Sequence, residues 1–443
     1  MASLQAPAAG TALPFKDPIK PAVYELPSGA LAAWRNFAHT KPVLLLFSAH
    51  PFLDPLREET RGELRQLVLT GTETEINQRG RLLNADTAFL PPQTVSVAIN
   101  ADLFSEIVYV MPSAGKVEDV SLQNFQKRTL AYGFLTEKEA AALTLKNGVI
   151  SGTVRGIPFR CVHPTALPKI TKPVVLHIDL GYFKDMYVNE VKTPVYGLIY
   201  EFGTSVRDRG YAVLAATLSY SNQEAGFSLD SRFMISNLAD ILRNPALLGG
   251  KTPPSWELRA DALYASTMFS ESKAEELTEL AARGTPADPA ALHALALLQF
   301  RRNLPDQAFA TLDRAVALDK GYALEYSELA ARGEELGQWS KAIELLIKAT
   351  QAFPENDIVK VRLADTLIKR GRVKEARPII DQLRIRPWSA TYHQGMPEML
   401  KEMAEAARDD SIIPLADEPP AAAPAPQRRQ LPPSHMGMPG GNQ

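Results

Sequence analysis

Cysteine is almost absent from this 443-residue chain. Cys161 is the only one, which excludes an intramolecular disulfide framework and any metal site built from several thiolates. An excess of charge is missing too: 48 basic residues stand against 50 acidic ones, a formal net charge of −2, so no global field favours nucleic acid or an anionic membrane. No stretch approaches the roughly 18 to 20 continuous apolar residues of a membrane span. Met1 to Pro14 lacks the basic start and apolar core of a secretory leader, and a cytoplasmic address is the expectation. The remaining composition, 45% hydrophobic and 22% charged, is that of a globular protein with room for two or three domains. Residues 1–20 are expected to be a flexible start. Residues 411–443, rich in Pro, Ala, Gly and Gln, have too little apolar content to offset their ordering entropy and are expected to form a disordered tail.

A period of 34 residues runs through the second half. Ala308, Ala342 and Ala376 are one period apart, as are Leu295, Leu329 and Leu363, Ala296, Ala330 and Ala364, and Asn303, Gly337 and Gly371. The Leu-Ala pair sits midway along a first amphipathic helix, the Asn or Gly makes a tight turn, and the later Ala lets a second helix approach closely. This spacing resembles the tetratricopeptide repeat. Counting from Pro289, the first unit has Ala296, Ala308 and Ala315, and the second has Ala330, Ala342, Ala349 and Pro354. The third has Ala364 and Ala376 but Leu383 and Trp388 at its last marked places, with Pro387 one residue early. A weaker leading unit from Ser255 keeps Ala262, Ala274, Ala281 and Pro286 without a glycine at its turn.

The expectation is an all-α solenoid over 255–410, closed by a capping helix from Met396 to Arg408. One helical pair cannot bury its own apolar face, so stacking is what stabilises such an array. Its first helices should line a groove for a protein or peptide ligand. In repeat arithmetic that face comprises His293, Leu297, Arg301, Glu328, Ala331, Glu335, Arg362, Asp365 and Lys369. Its mixed charge suits a peptide of mixed charge.

Residues 21–250 have a different texture. Val43 to Phe47, Val95 to Ile99, Ile107 to Val110, Val174 to Leu180 and Tyr211 to Leu218 are apolar or β-branched runs that read as strands. Arg57 to Leu69, Val195 to Arg209 and Asp230 to Leu242 have helical periodicity. Strands alternating with helices predict an α/β domain with a mainly parallel sheet, whose functional groups lie past the carboxyl ends of the strands. That rule selects Ser48-Ala49-His50-Pro51-Phe52-Leu53-Asp54 and His177-Ile178-Asp179-Leu180-Gly181-Tyr182-Phe183.

Those two segments, with Ala33-Trp34 and Ser105 to Pro112, resemble an arginase-like family that includes peptide arginases. The resemblance implies a pair of Mn²⁺ ions held by an Asp-x-His-x-Asp motif and an Asp-x-Asp motif, with a bridging hydroxide that attacks a guanidinium carbon. Here His50 and Asp179 remain, while Ser48, Phe52 and Gly181 occupy places where the family has carboxylates. Without those anions nothing offsets the repulsion between two adjacent divalent ions. The expectation is therefore a pseudoenzyme domain without a cofactor. The alternative is a single Mn²⁺ or other divalent ion on His50, Asp54, Asp179 and Glu224. Each candidate also has a structural reading: His177 as a satisfied core histidine, Asp179 as the cap of a following turn, Glu224 as a solvated loop carboxylate.

Two other signals fail. Gly249-Gly250-Lys251-Thr252 has Pro245 where a phosphate-binding loop needs its first glycine, and it follows a helical pattern. Cys161 and His163 lack an adjacent acidic group to orient them. Taken together, the residues predict a protein–protein interaction scaffold, with a metal-dependent hydrolase acting on a guanidinium or related C–N bond of a peptide as the alternative.

Overall fold

Val43–Phe47 (β3) and Val174–Asp179 (β8) are buried at every residue, because both faces of the sheet they form are covered. The computed structural model describes residues 13–14, 18–113, 115–221 and 228–408. Its sheet also contains β1 (Leu13–Pro14), β2 (Ala22–Tyr24), β4 (Glu106–Val110), β5 (Thr144–Lys146), β6 (Val149–Val154), β7 (Ile157–Val162) and β9 (Ala212–Ser219). The order is β1-β9-β8-β3-β4-β7-β6-β5, with β2 also on β9. From β9 through β8, β3 and β4 to β7 the pairing is parallel, while β5, β6 and β1 pair antiparallel. Thus Leu13–Pro14, within the expected flexible start, is hydrogen-bonded to Ala212–Val213.

Strand side chains alternate between faces, so one sheet feeds two cores. Leu45, Phe47, Leu176 and Ile178 pack with Ile199 and Phe202 from helix Val195–Asp208 and with Ile235 and Leu238 from helix Phe233–Arg243. Leu44, Leu46 and Val175 face the other way, against Trp34, Val95 and Phe104. One local expectation needs correction. Val95–Ile99 is not a strand but part of helix Thr94–Asn100. Pro91 and Pro92 open the turn before it, Thr94 Oγ1 donates to Pro91 O at 2.6 Å, and Val95 N donates to Phe52 O at 2.9 Å. Burial of Val95, Val97 and Ala98 then outweighs the β preference of the branched residues. The edge hairpins, in contrast, form around Asn147-Gly148 and Arg155-Gly156, all four with positive φ, the pairing that a two-residue hairpin turn demands.

From Pro254 to Ala406 the described chain is mainly helical. Pairs Pro254–Thr267/Glu271–Gly284, Pro289–Arg301/Pro305–Leu318, Leu324–Glu335/Trp339–Ala352 and Asp357–Lys369/Val373–Arg384 stack in succession, followed by helix Met396–Ala406. Ala296, Ala308, Ala330, Ala342, Ala364 and Ala376 are all 0% exposed, since helices this close leave no room for a larger side chain. The turn inside each pair takes a left-handed residue: Phe269 (φ 57), Asn303 (φ 58), Gly337 (φ 71) and Gly371 (φ 72), spaced by 34.

One edge of the array docks on the α/β domain, and it does so through the loops between repeats. Asp288, Tyr322 and Asn356 occupy equivalent places one period apart. Asp288 holds Arg259 (2.5 Å), whose guanidinium also reaches Tyr196 Oη and covers the Phe233 ring. Asp319 and Tyr322 enclose Arg232. Asp357 N donates to Leu83 O at 2.9 Å, and Asp357 Oδ2 accepts from Ala85 N at 3.1 Å. After the last pair, Ser389 N donates to Ala85 O at 2.7 Å, and His393 Nε2 lies 2.8 Å from Asn84 O.

Candidate functional site

The carboxyl ends of β3, β8 and β9 point at this docked edge and leave a cavity of about 840 Å³ beneath it. The domain contributes His50, Phe52, Asp54, Arg128, Tyr132, Phe134, Asp179, Gly181, Lys184, Asp185 and Ser221, and the repeats contribute Leu324, Phe353, Glu355 and Asn356. His50, Asp54 and Asp179 therefore share one cavity. Glu224 lies outside the described residues, as does the segment 411–443.

The loop after β3 is shaped by its own hydrogen bonds. His50 N donates to Ser48 Oγ at 3.2 Å, and Phe52 N donates to His50 Nδ1 at 2.8 Å. Phe52 is held at φ 53, a costly conformation for a bulky residue, while its carbonyl accepts from Val95 N at 2.9 Å. Because Nδ1 accepts, neutral His50 carries its proton on Nε2, which faces Asp54 Oδ1 at 3.5 Å. Burial, and secondarily the field of Arg128, lower the His50 pKa to about 4. Burial raises the Asp54 pKa, opposed by Arg155. The ring of Phe134 lies 4.5 Å from that of His50, edge to face.

Asp179 ends β8 and caps the following turn: Oδ1 accepts from Gly181 N at 2.9 Å, and Oδ2 accepts from Ser219 Oγ at 2.5 Å. Burial raises its pKa against those bonds. Behind it, His177 is 0% exposed, with Nδ1 2.9 Å from Thr217 Oγ1 and Nε2 3.3 Å from Ser219 Oγ, and Trp34 Nε1 donates to Thr217. Burial lowers the His177 pKa to about 3, as suits a neutral core imidazole. Among the described residues no three His, Cys, Asp or Glu side chains converge as metal ligands. Cys161 is enclosed, and burial pushes its thiol well above the usual range.

The nine residues assigned to the repeat face are placed unevenly. His293 is 0% exposed, its Nε2 3.0 Å from Glu325 and its ring 4.8 Å from that of Tyr322; contacts with the neighbouring repeat remove it from the surface. Arg362 is bound to Glu334 at 2.8 Å and Ser327 O at 3.2 Å, and Asp365 pairs with Lys369 at 2.6 Å. Arg301, Glu328 and Glu335 are exposed, with Leu297 and Ala331 half-buried among them. At the start of the array the same helix face is covered: Trp256 stacks 5.3 Å from Tyr196, and Leu263 and Ala290 pack against the sheet's core.

Sequence reasoning did not find Arg128, Arg155 or Arg232. Arg155 has φ 47 and donates Nη2 to Leu53 O at 2.5 Å and Phe134 O at 3.2 Å, tying the β6–β7 turn to the loop after β3. Arg232 is 0% exposed and bonds Glu25 (2.7 and 2.9 Å) and Asp319 (3.0 Å), with Tyr220 stacked 3.6 Å from its guanidinium. Nothing local marks such residues, since their partners lie 87 and 207 positions away. No helix among the described residues is long and apolar enough to cross a membrane.

A family model described as a tetratricopeptide repeat matches residues 335–386, which span the second helix of the third pair and both helices of the fourth. No curated protein matches the chain.

Proposed function

We propose that the chain is a protein–protein interaction scaffold in which an arginase-like domain that has lost its chemistry is joined to a peptide-binding repeat array. The stacked repeats carry this reading, because helical solenoids present extended side-chain faces that suit protein partners. The free part of the first-helix face, Leu297, Arg301, Glu328, Ala331 and Glu335, is the partner surface. Two observations support the loss of chemistry: the His50 nitrogen facing the cavity bears its proton, and both oxygens of Asp179 are already engaged. A hydrolase holding Mn²⁺ on these groups would have to strip the proton from His50 and share the Asp179 oxygens with their present donors.

The test is capture by the full chain, identification of the partner and titration with that partner purified. Wild type binds, whereas Arg301→Glu with Glu335→Arg weakens binding at least tenfold at unchanged stability; equal binding refutes the surface. Calorimetric titration with Mn²⁺ gives no saturable heat on this reading. Tight binding of the ion would return the site to the hydrolase class.

A further inference from the structure

The charges around the cavity are unequally compensated. Among its acids, Glu25 is bound by Arg232, Glu355 by Arg81 at 3.3 Å, and Asp179 by Ser219 and Gly181. Asp54 is half-enclosed beside His50, and Asp185 is exposed at the rim next to Lys184. Among its cations Arg81 is committed to Glu355, but the exposed side chains of Arg128 and Lys184 make no hydrogen bond or ion pair among the described residues. Arg128 lies on helix Leu122–Ala131 and lines the cavity together with His50, Tyr132 and Phe134. A guanidinium left open beside aromatic walls is the usual receptor for a planar anion.

The walls are apolar on both sides. Tyr132 and Phe134 stack on each other with centroids 5.5 Å apart and continue into His50 and Phe52. Across from them stand Leu324 and Phe353 of the repeats. Ser221, 4% exposed and with φ 37, lies near enough to Asp179 to favour its charged form, yet its hydroxyl completes no hydrogen bond among the described residues. The cavity thus combines a large apolar volume with a few convergent polar groups, the pattern of a ligand site.

We infer that this cavity binds a carboxylate carried on an apolar or aromatic group, the anion held by Arg128 and the apolar part lying between Phe134 and Tyr132 on one side and Leu324 and Phe353 on the other. The neutral His50 adds an Nε2–H donor at the same wall. Such a ligand reverses the charge that a guanidinium-binding site requires. The source is a peptide end or a small organic acid, which share this chemistry. The inference goes beyond the scaffold reading and does not depend on the repeat face.

The experiment is calorimetric titration of the full chain with N-acetyl-Leu-Phe as free acid, with its carboxamide, and with 3-phenylpropionate. The free acid saturates wild type, the amide binds at least tenfold more weakly, and Arg128→Gln removes that preference. Because the Arg128 guanidinium has no hydrogen-bond or ion-pair partner among the described residues, the variant retains the wild-type melt. Leu324→Trp, which fills the cavity from the repeat side while leaving Arg128, abolishes binding. Phenylpropionate matching the peptide supports a small acid as the source, and weaker binding supports a peptide end. Equal binding of acid and amide, no binding by wild type, an acid preference that survives Arg128→Gln, or binding that survives Leu324→Trp overturns the inference. The Arg301/Glu335 double variant titrates like wild type, so this site and the repeat face fail or stand separately.

Discussion

Replacing Arg232 with Ala should weaken one of the joints that hold the repeats to the sheet. Its fully buried guanidinium joins Glu25 of the α/β domain to Asp319 of the array and lies against Tyr220. Burial by itself would weaken the charge, but the two carboxylates overcome that and raise its pKa. Removing one partner of a buried ion pair costs about 3 to 5 kcal/mol. Here the abandoned acids are 35% and 23% exposed and can take up water, so the expected loss is about 3 kcal/mol, at the lower end of that range. Gly321 offers a second way to the same clamp. Its backbone is not left-handed, yet an added Cβ would collide with the Arg232 guanidinium. Gly321→Ala should therefore cost about 1 to 3 kcal/mol in wild type as overpacking. In an Arg232→Ala background the collision vanishes, and the same change should stabilise by about 0.5 kcal/mol through lost chain entropy. Urea unfolding of the four proteins closes a double-mutant cycle. A Gly321→Ala effect of equal size and sign in both backgrounds would refute the clamp.

Acidification should destabilise the domain through its excluded histidines. The folded pKa of His177 is lowered to about 3 and that of His50 to about 4, against an unfolded value near 6.5. Both states are neutral above that value, so stability is flat there. As pH falls the unfolded chain takes up protons that the folded one refuses, and stability is lost until the folded values are passed. For His177 this amounts to about 2 kcal/mol between pH 6.5 and 5, visible as a falling urea midpoint that is shallower in His177→Gln; an equal slope in both proteins would contradict the assignment. Phe269→Gly should raise the midpoint, by about 1 kcal/mol, because the side chain is 90% exposed and its left-handed backbone is strained. A lower midpoint would mean that the ring packs on something in solution.

The repeat array was legible because its signal is local. Ala296, Ala330 and Ala364 must be small where helices touch, and Asn303, Gly337 and Gly371 must be left-handed where the chain reverses. The strands β3 and β8 were legible for a similar reason, and the rule about parallel strand ends led to the cavity holding His50, Asp54 and Asp179. What escaped depends on distant partners. Val95 to Ile99 has the composition of a strand, but the Phe52 carbonyl and two prolines start a helix there. Asn147-Gly148 was a hairpin signal left unused. His293 was assigned to the ligand face by counting, and counting cannot see Tyr322 and Glu325 close over it. The docked edge has a period of 34 as well: Asp288 and Asn356 each cap the helix that follows, but Tyr322 breaks that pattern, so the equivalence is hidden until the α/β domain is in place.

That docked edge alters how this solenoid can vary. An array in which each repeat touches only its neighbours can gain or lose a unit and remain sound. Here Asp319 meets Arg232, Asp357 meets Leu83 and Ala85, and His393 meets Asn84, each unlike the others. Deleting one repeat of 34 residues would bring Phe353 to the place of Asp319, facing Arg232 without a carboxylate, so the later joints would meet the wrong mates. The repeats are thus keyed to the sheet: joints of unlike chemistry fix which repeat meets which part of the domain.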